Sequence, residues 1–343
     1  MDQAPPSDVV VTGAAGWLGR NLAADLVADG RTTIRCLVRE ASEGALLEVL
    51  SPAVQPVVGD VRDPSAIDAL FDGLRAPTTF HTAGVIHPSG TTRAFFDVNV
   101  GGTRMVLDGS RRAGAGRFVH ISSNSPFGAN ASPTDRFTEE SAANPYLSYG
   151  ASKLEGEALV AQAHERGDVE TVVLRPPWFY GPNQPARQDQ FFSALRKGRF
   201  PLVGDGTQQR SMVFTANLVQ GCRRAEVAEA APGNAYWIAD ARPYELREVF
   251  DTVREALALE GLPVSGRVRS LPRLAADIAV AADTALQRAG RYVQPLHVLG
   301  ELRDTIACDI SLARTDLGYD PEVALLDGMR TSIRSCLARG ARL

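Results

Sequence analysis

Short apolar runs alternate with helix-length segments through the first half of the chain. Val9–Val11, Ile34–Val38, Val54–Val58, Thr78–His81, Phe118–Ile121 and Val169–Leu174 are each the size of a buried strand. Six such runs, spaced by helices, predict an α/β fold with a parallel, doubly wound sheet. Ligands of such sheets lie beyond the carboxyl ends of the strands. The residues at those ends here are glycine or polar: Thr12-Gly13, Arg39, Gly59-Asp60, Thr82-Ala83-Gly84, Ser122-Ser123 and Arg175-Pro176-Pro177. Past Pro176 the regularity breaks at prolines 177, 182, 185 and 201. From about residue 241 the chain reads as mostly helical. Within Arg273–Arg288, Leu274, Ile278, Ala281/Ala282 and Ala285 recur at helical spacing. They predict a helix facing the core or a subunit; without a lysine-rich polar face it does not read as a membrane-surface helix.

Bulk properties narrow the classes. A chain of 343 residues suggests two lobes. Lys plus Arg number 36 against 40 acidic residues, a net charge of −4, which argues against a nucleic-acid partner. No uncharged apolar stretch reaches the ~18 residues of a membrane span, and the first eight residues show no secretory pattern. Cys36, Cys222, Cys308 and Cys336 have no metal-ligand spacing, so no metal is expected and the thiols read as reduced, in a cytoplasmic protein. His81 and His120 lie inside apolar runs and read as core residues.

Two motifs carry chemistry. Thr12-Gly13-Ala14-Ala15-Gly16-Trp17-Leu18-Gly19 follows the first strand and opens a helix with Leu18, Leu22 and Leu26 on one face. Glycines at 13, 16 and 19 let the backbone approach a pyrophosphate, and the amides of a helix starting near Trp17 and Leu18 would point at it. After the second strand an acidic residue would hold the ribose of NAD; here Arg39 comes first, which favours the 2′-phosphate of NADP, with Glu40 and NAD as the alternative. Asp60 would accept a hydrogen bond from the adenine amine, with Val61 packed beside it. Thr82, Ala83 and Gly84 would let the cofactor cross the strand end. The second motif is Tyr149-Gly150-Ala151-Ser152-Lys153, with Ser123 upstream. Tyr149 and Lys153 share a helix face. An ammonium beside the phenol, aided by an oxidised nicotinamide, would lower the phenol's pKa toward the working pH. Ser123 would steady the charge on the substrate oxygen, and Lys153 would also reach the nicotinamide ribose.

These motifs, with HTAG (81–84), NVGGT (99–103), LRPPWFYGP (174–182), GDGTQQRS (204–211) and LGYDP (317–321), resemble in order the extended short-chain dehydrogenase/reductases, the NAD(P)-dependent epimerase/dehydratases. The resemblance implies a Rossmann-type domain over 1–175, rejoined by 209–240, and a smaller, mostly helical substrate lobe from 176–208 and 241–343. It implies Ser123, Tyr149 and Lys153 as the catalytic triad, Asn99 as support for the lysine, and Pro176 to Phe179 as the nicotinamide wall. A small-molecule substrate and a homodimer are expected, without nucleic-acid or membrane partners.

Two positions depart from the family pattern. Asn124 and Ser125 stand where sugar-nucleotide dehydratases carry an Asp-Glu pair, so 4,6-dehydration is disfavoured. Thr215-Ala216-Asn217-Leu218 replaces a Val-Asp-Asp stretch. For substrate, Arg210 is either a clamp for the diphosphate of a nucleotide sugar or part of a hairpin paired to a local acid. Trp178, Phe179, Phe191, Phe192 and Phe214 would line an apolar pocket, as in 3β-hydroxysteroid dehydrogenase-like enzymes. Simple oxidoreduction at a secondary alcohol or ketone is expected ahead of epimerisation with tightly held NAD. A non-catalytic dinucleotide-binding regulator is the remote alternative.

Overall fold

The computed structural model describes residues 8–343. The first half runs β1 (Asp8–Thr12), α1 (Trp17–Ala28), β2 (Thr33–Val38), α2 (Ala41–Glu48), β3 (Val54–Val58), α3 (Pro64–Phe71) and β4 (Thr78–His81). A short α4 (Arg93–Phe96) widens into a π-turn over Asp97–Gly102 and continues as α5 (Thr103–Arg112). Then come β5 (Arg117–Ile121), α6 (Leu147–Glu165) and β6 (Glu170–Arg175). The second half holds β7 (Trp178–Tyr180), α7 (Ala186–Arg196), β8 (Pro201–Val203), β9 (Gln209–Arg210), β10 (Met212–Phe214), α8 (Thr215–Val227), β11 (Ala235–Trp237), β12 (Tyr244–Glu245) and α9 (Leu246–Leu259). It ends with β13 (Arg269–Leu271), α10 (Arg273–Arg288), α11 (Gln294–Glu301), α12 (Ser311–Leu317) and α13 (Leu325–Ala338).

The main sheet has seven strands in the order β11-β6-β5-β4-β1-β2-β3, all neighbours parallel. Both faces are covered, as an all-parallel sheet requires. Val9 and Val11 pack toward Leu22, Leu26 and Trp237. Val10, one residue out of phase, packs toward Ile67, Leu70 and Phe118 on the other face. The six strand-sized runs form six of these strands. The seventh, β11, is only three residues long and comes after the irregular segment, where no periodic signal marks it. Because β1 sits beside β4, the winding reverses between them, and a crevice opens at their carboxyl ends.

A separate core forms the lobe, with Phe192, Leu202, Phe250, Val253, Leu325 and Ile333 inside it. One helix there departs from the core-facing half of its expectation. Leu274 and Ile278 do not face the core; they are 67% and 62% exposed. The inward residues of α10 are Ala276, Ala279, Asp283 and Gln287. Polar side chains lie inward because they find partners: Asp283 takes His297 Nδ1 at 2.9 Å, and Gln287 accepts the Ser148 amide at 3.2 Å.

Candidate active site

The glycine turn lies at the crevice. Gly13 has φ +66°, and a Cβ there would meet the Ala83 backbone at 2.7 Å. A Cβ on Gly19 would lie 2.3 Å from the Gly13 carbonyl oxygen. Gly13 therefore permits contact with the Thr82–Gly84 turn, and Gly19 permits α1 to close onto the loop. Thr82 Oγ1 donates to the Thr12 carbonyl at 2.7 Å, tying the two strand ends. Helix α1 begins after Gly16 with no side-chain cap and no acid in its first turn, so its free amides keep their positive end. Bare backbone, a helix N-terminus and a small-residue turn together fit a dinucleotide pyrophosphate. Leu18 is buried under this turn. Trp17 Nε1 donates to the Pro182 carbonyl at 2.9 Å, and its ring packs 4.7 Å from Phe179. The cradle is thereby joined to the segment after β6, where Pro176 is buried.

At the adenosine end, the Arg39 side chain is 81% exposed, with Glu43 3.5 Å away. The Asp60 carboxylate accepts two hydrogen bonds from the Arg62 guanidinium, at 2.8 and 2.7 Å, which hold its pKa below the usual range. Arg39 adds to that lowering, so both arginines border Asp60. Arg62 was not singled out in the sequence, although it follows Asp60 and Val61 directly. Val61 is buried, and Gly102 has room for no side chain against it.

Tyr149 and Lys153 are both buried on α6. The helix starts under constraint. Leu147 has φ +54°, rare for a residue with a side chain. The Tyr146 amide donates to the Ser125 carbonyl at 2.9 Å, and the Ser148 amide is held by Gln287. The first turn of α6 is thus clamped from β5 on one side and from α10 on the other. Ser123 and Ser122 separate cleanly. Ser123 pulls the Tyr149 phenol in the direction that favours the phenolate, and it lies 3.3 Å from both the amide and the hydroxyl of Ser125. Ser122 Oγ instead donates to Glu157 at 2.5 Å. Asn124 is half-buried, and its carbonyl caps the Phe127 amide.

Electrostatics differ from the sequence expectation at one point. Burial raises the Tyr149 phenol to about 12, and Ser123 only partly opposes this. The Lys153 ammonium is directed elsewhere, donating to the Ile121 carbonyl at 2.6 Å. Burial lowers Lys153 to about 8, against the opposite pull of Glu157. Within the protein itself, then, burial, aided by the Glu301 carboxylate, outweighs the pull of Ser123, and the phenol is held neutral.

Asn99 lies in the π-turn. Its amide spans Val85, accepting from the amide at 2.7 Å and donating to the carbonyl at 3.1 Å, and donates also to Ser152 at 3.0 Å. It so ties the strand β4 loop to the catalytic helix. Phe95 and Tyr292 pack against Tyr149, with ring centroids 5.7 Å (Phe95 to Tyr149) and 5.5 Å (Phe95 to Tyr292) apart. The Tyr292 hydroxyl meets His87 at 2.6 Å. No periodic pattern in the sequence pointed to either ring. Trp178 packs on Phe191 within the lobe. Arg210 is buried. Its Nη2 donates to the carbonyls of Glu301 and Asp304, and Nε has no partner among the described residues. His81 is fully buried between Thr12 and Thr103, and desolvation takes it down to about 3, so it stays neutral.

Comparisons with known proteins agree with this geometry. The chain is 40% identical to an uncharacterized protein of Sinorhizobium fredii, covering 97% of this chain and 96% of that one. It is 34% identical, over 93% of each chain, to 4-hydroxy-2-methyl-3-oxo-4-farnesyl-3,4-dihydroquinoline-1-oxide ketoreductase of Stigmatella aurantiaca. A solved dTDP-glucose 4,6-dehydratase from Streptomyces venezuelae shares the fold, with a TM-score of 0.75 at 23% identity over 96% of both chains. The pattern of the NAD dependent epimerase/dehydratase family matches residues 9–239, and the chain belongs to that family as an NAD(P)-dependent enzyme.

Proposed function

We propose that this protein is an NADP-linked reductase of a ketone carried on an apolar molecule. The observation that carries the proposal is the neutral, buried Tyr149 phenol, beside Ser123, one helical turn before Lys153 and packed with Phe95 and Tyr292. When bound, the nicotinamide cofactor supplies the hydride for the carbonyl carbon. Ser123 and Tyr149 hold the carbonyl oxygen. Tyr149 then gives up its proton to that oxygen as negative charge develops, so one hydride and one proton yield the secondary alcohol. Ser123 steadies the phenolate left behind, and the Lys153 ammonium lowers the energy of that charge. A phenol that rests protonated suits reduction better than oxidation, which needs the phenolate first.

Gly13, Gly16, the amides of Trp17 and Leu18, and Thr82–Gly84 are the proposed pyrophosphate contacts. Arg39, with Arg62 beside it, is the proposed reader of the 2′-phosphate, and Asp60 and Val61 flank the adenine. Asn99 and Pro176 complete the nicotinamide end. Residues 1–175 and 209–240 form the proposed cofactor domain; 176–208 and 241–343 form the substrate lobe. The ketoreductase relative, whose named substrate carries a farnesyl group, supports an apolar ketone. Asn124 and Ser125 provide no carboxylate for dehydration.

One observation favours a nucleotide sugar instead. The unpartnered, buried Nε of Arg210 would accept an anion such as a diphosphate. Nicotinamide absorbance on incubation with NADPH and a panel of apolar ketones and nucleotide 4-keto sugars separates the two. Turnover of an apolar ketone that Arg210→Met leaves intact is expected. Turnover of nucleotide sugars alone would overturn the proposal.

A further inference from the structure

The outward face of α10 is apolar along its length. Leu274, Ile278, Ala281 and Ala285 form one stripe, with Leu274 and Ile278 well exposed. A helix resting on a water-facing surface carries polar residues there. Around this stripe stand Arg269 and Arg273 at its start and Arg288 and Arg291 at its end, all exposed. None of these four arginines forms an ion pair among the described residues, although Asp205 feels the charge of Arg273. The two acids of α10 are already taken: Asp277 pairs with Arg303, and Asp283 is buried on His297. The region is therefore locally cationic in a chain whose net charge is −4.

We propose that α10 and its collar of arginines dock the protein on the surface of an anionic lipid bilayer, with the Leu274–Ile278 stripe against the acyl region. No helix among the described residues is long and apolar enough to cross a membrane, so the helix lies in the interface. A second copy of this chain fits the same face poorly. A two-fold contact would set four guanidiniums without ion pairs against four more. Anionic headgroups neutralise them. Two of the four arginines, Arg269 and Arg291, lie outside α10, where a helical pattern does not include them. The inner face of α10 carries Gln287, which holds the amide preceding Tyr149. The docked helix thus lies over the start of the catalytic helix, where an apolar substrate would leave the bilayer. The proposal complements the apolar-ketone function but is measured without turnover.

Co-sedimentation of the full chain with vesicles of equal parts phosphatidylglycerol and phosphatidylcholine tests it, beside pure phosphatidylcholine. Binding to the anionic vesicles is expected, weakening steeply with salt. Arg273→Gln and Arg288→Gln should each weaken it about fivefold. The double variant Leu274→Glu/Ile278→Glu should abolish it. Leu46→Glu, at an apolar residue of α2 that is 56% exposed, should leave binding and reductase activity unchanged. Absence of binding, equal binding to pure phosphatidylcholine, or equal loss with Leu46→Glu would overturn the proposal. So would a concentration-dependent dimer in sedimentation velocity that Ile278→Glu disperses, because the face would then belong to a second copy.

Discussion

The two halves of the site are held in place by different means. At the glycine turn the backbone decides: Gly13 and Gly19 leave no space for a Cβ, and Thr82 is tied to the Thr12 carbonyl. Around Tyr149, side chains decide: Phe95 of α4 meets Tyr292 and His87 from separate loops, and Gln287 reaches from α10 to α6. Backbone shape tolerates almost no substitution, whereas side-chain packing can be rebuilt many ways. A family can therefore keep one cofactor cradle while exchanging substrates above it. Tyr149 stands where the halves meet, and its loss should be the largest single effect. Tyr149→Phe should lower kcat about 10²–10⁴-fold while cofactor affinity, followed by thermal shift, stays near that of the parent. Unchanged turnover would move the proton donor to the lobe.

The same contrast explains what could be read in the sequence. The strands, the cradle and the Tyr149–Lys153 spacing are local patterns within a few residues of one another. Glu157, one turn beyond Lys153 on the same face, was not singled out, because its partner Arg175 and its hydrogen bond to Ser122 are not local. Phe95, His87 and Tyr292 converge only through tertiary contacts. The burial that raises the Tyr149 phenol in the protein alone is not encoded in any spacing. Of the two expected faces for the α10 stripe, core or subunit, the core is excluded, because the stripe points outward while Asp283 and Gln287, polar by sequence, are satisfied inside.

Asp240 sharpens the comparison at the seam between the halves. It follows β11 and accepts from the Phe214 amide at 2.9 Å, Asn217 Nδ2 at 2.9 Å and the Tyr180 hydroxyl at 2.9 Å. Asn217, the residue that departs from the family's acidic stretch, also bonds the amide and carbonyl of Val323. A second carboxylate at 217 would repel Asp240, which gives the departure a structural reason. Burial raises Asp240 to about 6. An acid raised on folding holds its proton more tightly when folded, so its stabilisation is full below about pH 4 and is lost as pH rises through about 6. Asp240→Asn should remove that slope. The stability gap between parent and variant should shift by up to about 3 kcal/mol between pH 4 and pH 7 in urea unfolding. Parallel pH curves would show that Asp240 titrates as it does in the unfolded chain.

On the cofactor side, the rim is the exception to backbone control, because Arg39 is a flexible, exposed side chain. Arg39→Ala should weaken NADP by about tenfold or more while changing NAD little, the size of one charged hydrogen bond. Equal affinities before and after would assign the 2′-phosphate to Arg62 or to no residue.

Glu157 gives the smallest and most specific effect. Lys153 and Glu157 are anchored on consecutive residues of β5 and its end, Lys153 on the Ile121 carbonyl and Glu157 on the Ser122 hydroxyl. Arg175 fixes the carboxylate from the other side at 2.7 Å. Burial has already lowered the lysine to about 8, and the carboxylate limits that fall. The charged lysine is present below its pKa, so activity that needs it declines as pH rises through that value. Glu157→Gln keeps the shape but removes the charge, so Lys153 should lose its proton earlier. The alkaline limb of kcat/KM should move roughly one unit toward acid, and Glu157→Asp should restore much of it. If Glu157 served only packing, kcat/KM would fall by the same factor at every pH and the limb would stay in place. The direction of that limb therefore distinguishes a carboxylate that positions and charges Lys153 from one that merely fills the space beneath it.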